Sequence, residues 1–368
     1  MNGAIIAFLP GASIAFVTAL IAVGLFVPRL RRFALRIDAV QQGGGVHGRG
    51  RRMHQGAVPN IGGIAILVGF LLALVVGSLV APDLIDPFRV QLLAIALGAA
   101  LMALVGFIDD MWEVPPAMRL ASQFVAAGIL VVNGVSIGFV TNYFGPTTYV
   151  FIPELATVLV TLLWVVGFTN AFNFIDGLDG LSSGIAAISS MSLLAVAMQF
   201  PDRGAAVVLL ASLAGAALGF LRHNFSPAKI IMGDSGAYLL GYVLAAVSVL
   251  GALKVTAAVT VVAPILVLAL PVVNITQVTF RRLRRGASPA EAANDHIHDL
   301  LRARSGSNRG TVIALWVATL GLGLVGMLLS DTPPVLTLLT LVLTVVMIAG
   351  VSVLRLAEVR RERREPAP

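Results

Sequence analysis

The sequence predicts an all-α, polytopic integral membrane protein of about eleven transmembrane helices, with its N-terminus outside and its C-terminus in the cytoplasm. Three observations predict it. Apolar residues make up 58% of the 368 and charged residues only 12%, far from the average of soluble globular chains. Uninterrupted apolar stretches long enough to cross a bilayer recur along almost the whole chain. The basic residues, finally, sort onto one side of those stretches.

Apolar runs read against polar breaks place the spans near 3–27, 60–80, 90–108, 119–139, 154–171, 180–199, 205–221, 236–252, 255–278, 310–330 and 335–354. The first run has no basic segment before it, and Arg29, Arg31 and Arg32 follow it, so it reads as a permanent first helix and not as a cleavable signal. Several spans carry glycine or proline, among them Pro264 and Pro271 in the ninth. Such breaks survive in a membrane where neighbouring helices or a cavity satisfy the freed backbone groups. With the loop after the first span in the cytoplasm, only Arg89, Arg203 and Lys254 of the 25 cationic residues fall outside. The net charge of +7 is therefore topological, and nucleic acid is not expected as a partner.

The chain has no cysteine, which excludes disulfides, thiolate metal sites and cysteine nucleophiles. No convincing internal repeat is present, which weakens a secondary-transporter reading. The segment Gly43–Arg52, GGGVHGRGRR, lacks the GxxxxGK[ST] pattern of a phosphate loop and reads as a basic linker. Residues 288–304 predict a short cytoplasmic helix, with Ser288 as N-cap, Pro289 at the first position and Glu291 closing a capping box.

The eighteen acids are informative by position. On this topology Asp109–Asp110–Glu113, Asp176–Asp179 and Asp234 all fall at cytoplasmic helix ends. Any one cluster could be an ordinary solvated loop; three clusters converging on one face point to a shared site. The chemistry that suits them is metal-assisted phosphoryl transfer. Mg²⁺ takes carboxylates, phosphate oxygens and water, and phosphoryl transfer needs positioning and charge neutralisation more than covalent help. Zinc fits less well, because there is no HExxH motif and His296 and His298 are two apart.

Five motifs in order carry a resemblance: RRMHQGAVPNIGG (51–63), GFIDDMWEVPP (106–116), FTNAFNFIDGLDGL (168–181), NFSPAKIIMGDSG (224–236) and RRGASPAEAANDHIHD (284–299). Through them the chain resembles the polyprenyl-phosphate N-acetylhexosamine-1-phosphate transferases, in the branch that uses UDP-GlcNAc, with the phospho-MurNAc-pentapeptide transferases as more distant relatives. The likeness runs from about His54 to Val312. It implies a single membrane-embedded domain over 1–354 with cytoplasmic catalytic loops and a charged tail over 355–368. It implies transfer of a HexNAc 1-phosphate, foremost GlcNAc-1-phosphate, from a UDP-sugar to undecaprenyl or another polyprenyl phosphate at the plasma membrane, with release of UMP. Mg²⁺ would be the cofactor, with Mn²⁺ as substitute, and a homodimer is compatible with the family.

By position, the resemblance implies Asn173 and Asp234 as metal ligands, Asp109 as the acid–base on the lipid phosphate and Asp110 beside it. Asn170, Asp176 and Asp179 would line the nucleotide side. His54, Lys229, His296 and His298 would engage phosphates or sugar. Other readings of the same residues stay open: Lys229 also fits a snorkelling anchor, and Gly177 and Gly180 also fit a plain helix break. On a continuous helix His296 and His298 would lie about 200° apart, so that only one could face a cleft unless the backbone there is extended. Direct displacement and a two-step route through an aspartyl-phosphate are both open.

Three positions depart from the family pattern. Asp299 replaces the histidine that usually closes HxHH, Ala293 stands where an aspartate is expected, and Asn274 replaces an acid in the ninth span. All bear on the loop that shapes sugar recognition. The rival readings are the same chemistry on UDP-MurNAc-pentapeptide and, from another class, an ion-coupled transporter, whose acids belong near mid-membrane and not at one face.

Overall fold

The structure, a computed structural model, describes residues 3–36, 40–41, 58–141, 149–252, 262–286 and 296–362. Fourteen α-helices are seen among the described residues: α1 (Gly3–Arg36), α2 (Gly62–Val80), α3 (Pro82–Ile85), α4 (Arg89–Trp112), α5 (Pro116–Val132), α6 (Glu154–Ile175), α7 (Leu181–Ala197), α8 (Gly204–Asn224), α9 (Gly233–Ala252), α10 (Val262–Val267), α11 (Ala269–Arg284), α12 (Ile297–Ser305), α13 (Asn308–Leu329) and α14 (Pro334–Glu362). Eight stretches are long and apolar enough to cross a membrane, and α5 and α7 are shorter apolar helices. The chain is thus an all-α multi-pass membrane protein.

Helices α7, α8 and α9 form the centre, with nearly every residue buried. Their surfaces carry small residues, such as Gly215 and Gly219 of α8 against α1, which lets helices approach without a hydrophobic drive from water. Helix α1 packs on α2 and α8, α4 and α6 flank α9, α5 bridges α4 and α6, and α13 covers α7. The outermost helices, α1 and α14, turn rows of Leu, Ile and Val outward, as lipid requires.

Four expectations change. Helix α1 does not end near residue 27 but continues through Pro28 to Arg36, so its arginines sit on a helix and not on a loop. Helix α14 likewise runs on to Glu362, and the first part of the expected charged tail is helical. The ninth span is two helices, broken at Leu268. Pro271 falls in the first turn of α11, where a missing N–H forfeits no internal bond. Lastly, two small antiparallel pairs accompany the helices: β1 (Val40–Gln41) with β2 (Val58–Pro59), and β3 (Phe139–Thr141) with β4 (Tyr149–Phe151). The capping box at Ser288, Pro289 and Glu291, the linker at 43–52, Ala293 and His54 lie outside the described residues. The short helix expected from residue 288 is described only from Ile297, as α12.

Candidate active site

The site forms where the C-terminal ends of α4 and α6 meet the N-terminal end of α9. Gly106 on α4 lies against the backbone of Asp234 and Ser235, leaving no room for a Cβ. That close approach brings the next turn of α4, with Asp109 and Asp110, to the start of α9. The turn into α9 passes through Gly233 at φ +75°, a conformation that glycine adopts without steric cost.

Asp110 holds this junction together. Its Oδ1 accepts from Asp234 N–H at 2.9 Å and from Asn60 Nδ2 at 2.9 Å, and its Oδ2 accepts from Ser235 N–H at 3.2 Å. A carboxylate from another helix thus caps the first turn of α9 and meets the positive end of its dipole. Asp109 is paired differently. Its Oδ1 accepts from Val114 N–H at 2.8 Å, and its Oδ2 faces Arg119 Nη1 at 3.0 Å, with Tyr238 Oη at 3.5 Å. Asp234 in turn accepts from Asn173 Nδ2 at 2.6 Å and lies close enough to Asp109 and Asp110 for their charges to repel.

Among the described residues no three histidine, aspartate or glutamate side chains form a ready-made ligand cluster. Mg²⁺ does not need one, because it keeps several waters and takes one or two carboxylates plus substrate phosphates. The donor set fits such an ion. Asn173 uses its amide nitrogen on Asp234, which leaves its carbonyl oxygen for other work. Asn60 Oδ1 is buried beside Asp110 with no hydrogen-bond partner, an acceptor in want of a cation or a water.

A second group lies past the end of α6. Asp176 accepts from Ser182 Oγ. The residue is half-buried, but its carboxyl is enclosed: desolvation, with a smaller push from the Asp179 charge, raises it to about 7 against the pull of the Ser182 hydroxyl. Asp179 Oδ2 accepts from Ala228 N–H at 3.0 Å in the loop between α8 and α9. Asn170 exchanges its amide with Gln123 on α5, donating at 2.6 Å. These three residues are therefore also cross-braces between helices. Lys229 lies half-buried in the same loop.

The histidines resolve a geometric question. His296 precedes α12 with extended backbone, ψ 156°, so the helical separation of about 200° does not apply. The rings of His296 and His298 stack, centroids 5.3 Å apart and planes within 4°. His296 also meets Phe174, next to Asn173, at 5.6 Å, and His298 packs on Gly177, where a Cβ would overlap it. Asn274, one of the departures from the family pattern, holds this arrangement: its Oδ1 accepts from Ile297 N–H at 2.9 Å, and its Nδ2 lies 3.3 Å from His296 Nδ1. Asp299 Oδ1 stands 3.7 Å from His298 Nε2.

The sequence reading missed Arg119, Tyr238 and Gln123, and it took Asn60 only as part of the VPNIGG loop expected beside phosphates or sugar. Arg119 had been counted only as a topological charge. A polar residue in the first turns of an apolar helix, ten positions after an aspartate across Pro115–Pro116, was the available signal.

Comparison with known proteins accords with this geometry. Residues 92–252, which hold both acid groups, match the model of glycosyl transferase family 4. A probable undecaprenyl-phosphate N-acetylglucosaminyl 1-phosphate transferase of Bacillus subtilis is 32% identical over 83% of this chain and 81% of its own length. The chain belongs to this family. A decaprenyl-phosphate N-acetylglucosaminephosphotransferase of Mycolicibacterium smegmatis is 31% identical over 84% of the chain and 82% of the relative. A phospho-N-acetylmuramoyl-pentapeptide-transferase of Shouchella clausii reaches 33%, but over 64% of the chain and 73% of its own length. The family likeness to the N-acetylglucosamine enzymes thus extends over more of the molecule.

Proposed function

We propose that this chain transfers N-acetylglucosamine 1-phosphate from UDP-GlcNAc to a polyprenyl phosphate, releasing UMP and starting a lipid-linked surface polysaccharide. The observation that carries the reading is the part-buried junction of Asp109, Asp110, Asn173 and Asp234 at one end of the bundle, in a chain similar over four-fifths of its length to such transferases. The site opens to the cytoplasm at the inner leaflet of the plasma membrane, and eleven crossings leave the N-terminus outside. The gathering of α4, α6, α8 and α9 ends with the arginines of α1 and α12 on one side supports that orientation.

Asp234 and the Asn173 carbonyl would hold Mg²⁺, which supplies charge neutralisation for the diphosphate when bound. Asp110, committed to the first turn of α9, fixes Asp234 in place. Arg119, with a quarter of its side chain exposed against 1% for Asp109, is the member of the pair that can reach an incoming lipid phosphate. As the phosphate draws the guanidinium, Asp109 Oδ2 is released to take the phosphate's proton. A phosphate oxygen then attacks the sugar-linked phosphorus in line; the bond to the bridging oxygen breaks, and UMP leaves with that oxygen. Lys229 and the histidine stack would meet the donor's phosphates and sugar.

The test is UMP release by purified protein with undecaprenyl phosphate and a panel of UDP-sugars. Turnover with UDP-GlcNAc or a close C4 or C6 variant is expected. Turnover with UDP-MurNAc-pentapeptide and with no UDP-HexNAc overturns the reading.

A further inference from the structure

The loop between α8 and α9, Phe225–Met232, carries Lys229 and leads straight into Asp234. Three arginines from three distant parts of the chain hold its carbonyl oxygens. Arg31 on α1 donates through Nε to Lys229 O at 3.0 Å, Arg309 on α13 through Nε to Ser226 O at 2.8 Å, and Arg355 on α14 through Nη2 to Pro227 O. From below, Asn224 donates to Ile230 O at 3.0 Å while accepting from Gly180 N–H at 2.9 Å, and Ala228 N–H rests on Asp179.

Arg355 is the telling member. Helix α14 is largely turned to lipid, yet Arg355 is 5% exposed. Burying a guanidinium is costly, the more so here because Nε makes no hydrogen bond among the described residues, so the Nη2 contact has to offset much of that cost. A lipid-facing helix gains nothing in packing from it that leucine would not supply. An ionisable residue kept in such a place is explained by what it holds, and its Nη2 holds the loop that carries Lys229.

Resting on the function proposed above, we infer that Arg355 and Arg309 are positioning residues for the UDP-sugar: they clamp Pro227 and Ser226 and so fix Lys229 for the donor's diphosphate. The C-terminal helix is thereby a working part of the donor site. The clamp concerns the donor alone, because the Asp109–Arg119 pair proposed for the lipid phosphate stands on α4 and α5.

Arg355→Met keeps the bulk and removes the donor, whereas Arg355→Lys keeps a donor and a charge. Losing one charge-assisted hydrogen bond at the loop should raise the UDP-GlcNAc KM about tenfold or more, with the lipid KM unchanged and partial rescue in the lysine variant. Arg309→Met should act in the same direction. Because Arg355 acts through Lys229, adding Arg355→Met to Lys229→Met should raise the donor KM no further. Unchanged donor KM in both methionine variants, or full additivity with Lys229→Met, overturns the inference. Hydrogen exchange in the purified chain separates this from the choice of substrate. The Ala228 and Lys229 amides should exchange faster in Arg355→Met than in wild type even if UDP-GlcNAc proves not to be the donor, and unchanged exchange removes the clamp.

Discussion

Arg119 Nη1 lies 3.0 Å from Asp109 Oδ2 across the turn between α4 and α5, with the carboxylate 1% exposed and the arginine 25%. One partner is sealed into the protein and the other can reach out of it. Truncating the accessible partner strands the buried one, a loss of about 3–5 kcal/mol for a fully buried pair and less here for the solvent that reaches Arg119. Arg119→Met should therefore lower both thermal stability and turnover. Adding Asp109→Asn should restore stability by removing the stranded charge while leaving turnover lost. Wild-type turnover in Arg119→Met would show that the pair takes no part in the reaction.

Asp234→Asn keeps the shape and the hydrogen bond with Asn173 but removes a charge. Turnover should fall by about a thousandfold, the scale of several kcal/mol of charge stabilisation. Mn²⁺ binding, followed by electron paramagnetic resonance, should weaken in parallel. A variant that turns over normally at low Mg²⁺ would remove Asp234 from the ligand set.

Asp176 gives a pH dependence of stability. Its carboxyl is raised from 3.8 to about 7, chiefly by burial, so between those values the folded chain holds a proton that the unfolded chain has lost. The resulting stabilisation is complete below the unfolded value and disappears as pH rises through about 7. Asp176→Asn stays uncharged throughout and should flatten this slope. Melting temperatures of the purified chain from pH 5 to 8 test it: parallel curves for wild type and variant would contradict the enclosed carboxyl.

The orientation can be read with single cysteines, since the natural chain has none. A cysteine at the exposed Arg304 of α12 should resist an impermeant thiol reagent in intact cells, and one at the exposed Asp331, between α13 and α14, should react. Labelling of position 304 from outside would reverse the topology and with it the cytoplasmic site.

Asp299 beside the histidine stack bears on the sugar. Asp299→His should change donor preference or donor KM and leave the proposed Mg²⁺ dependence as in wild type. A changed metal requirement with an unchanged donor profile would place this residue in the metal site instead.

What the sequence determined by itself was the all-α, multi-pass architecture and the acids that gather at one end of it. Apolar runs of bilayer length need only be counted, because each helix must satisfy its own backbone in lipid. The acids at 109, 110, 176, 179 and 234 stood out because carboxylates are costly in such surroundings. What only the tertiary structure decided was how these groups divide the work. Asp110 turned out to cap α9, Asp179 to hold the loop before it, and Asn274 to set the histidines. Each of these depends on a hydrogen bond between residues far apart in the chain, and no periodicity encodes such a bond. The stacking of His296 on His298 hung on one extended residue before α12, where a helical reading of the same spacing separates the two rings. Arg31, Arg309 and Arg355 look alike in sequence to every other arginine of a positive-inside face. They differ only because packing sets them against the carbonyls of one loop, and packing is a property of the assembled bundle.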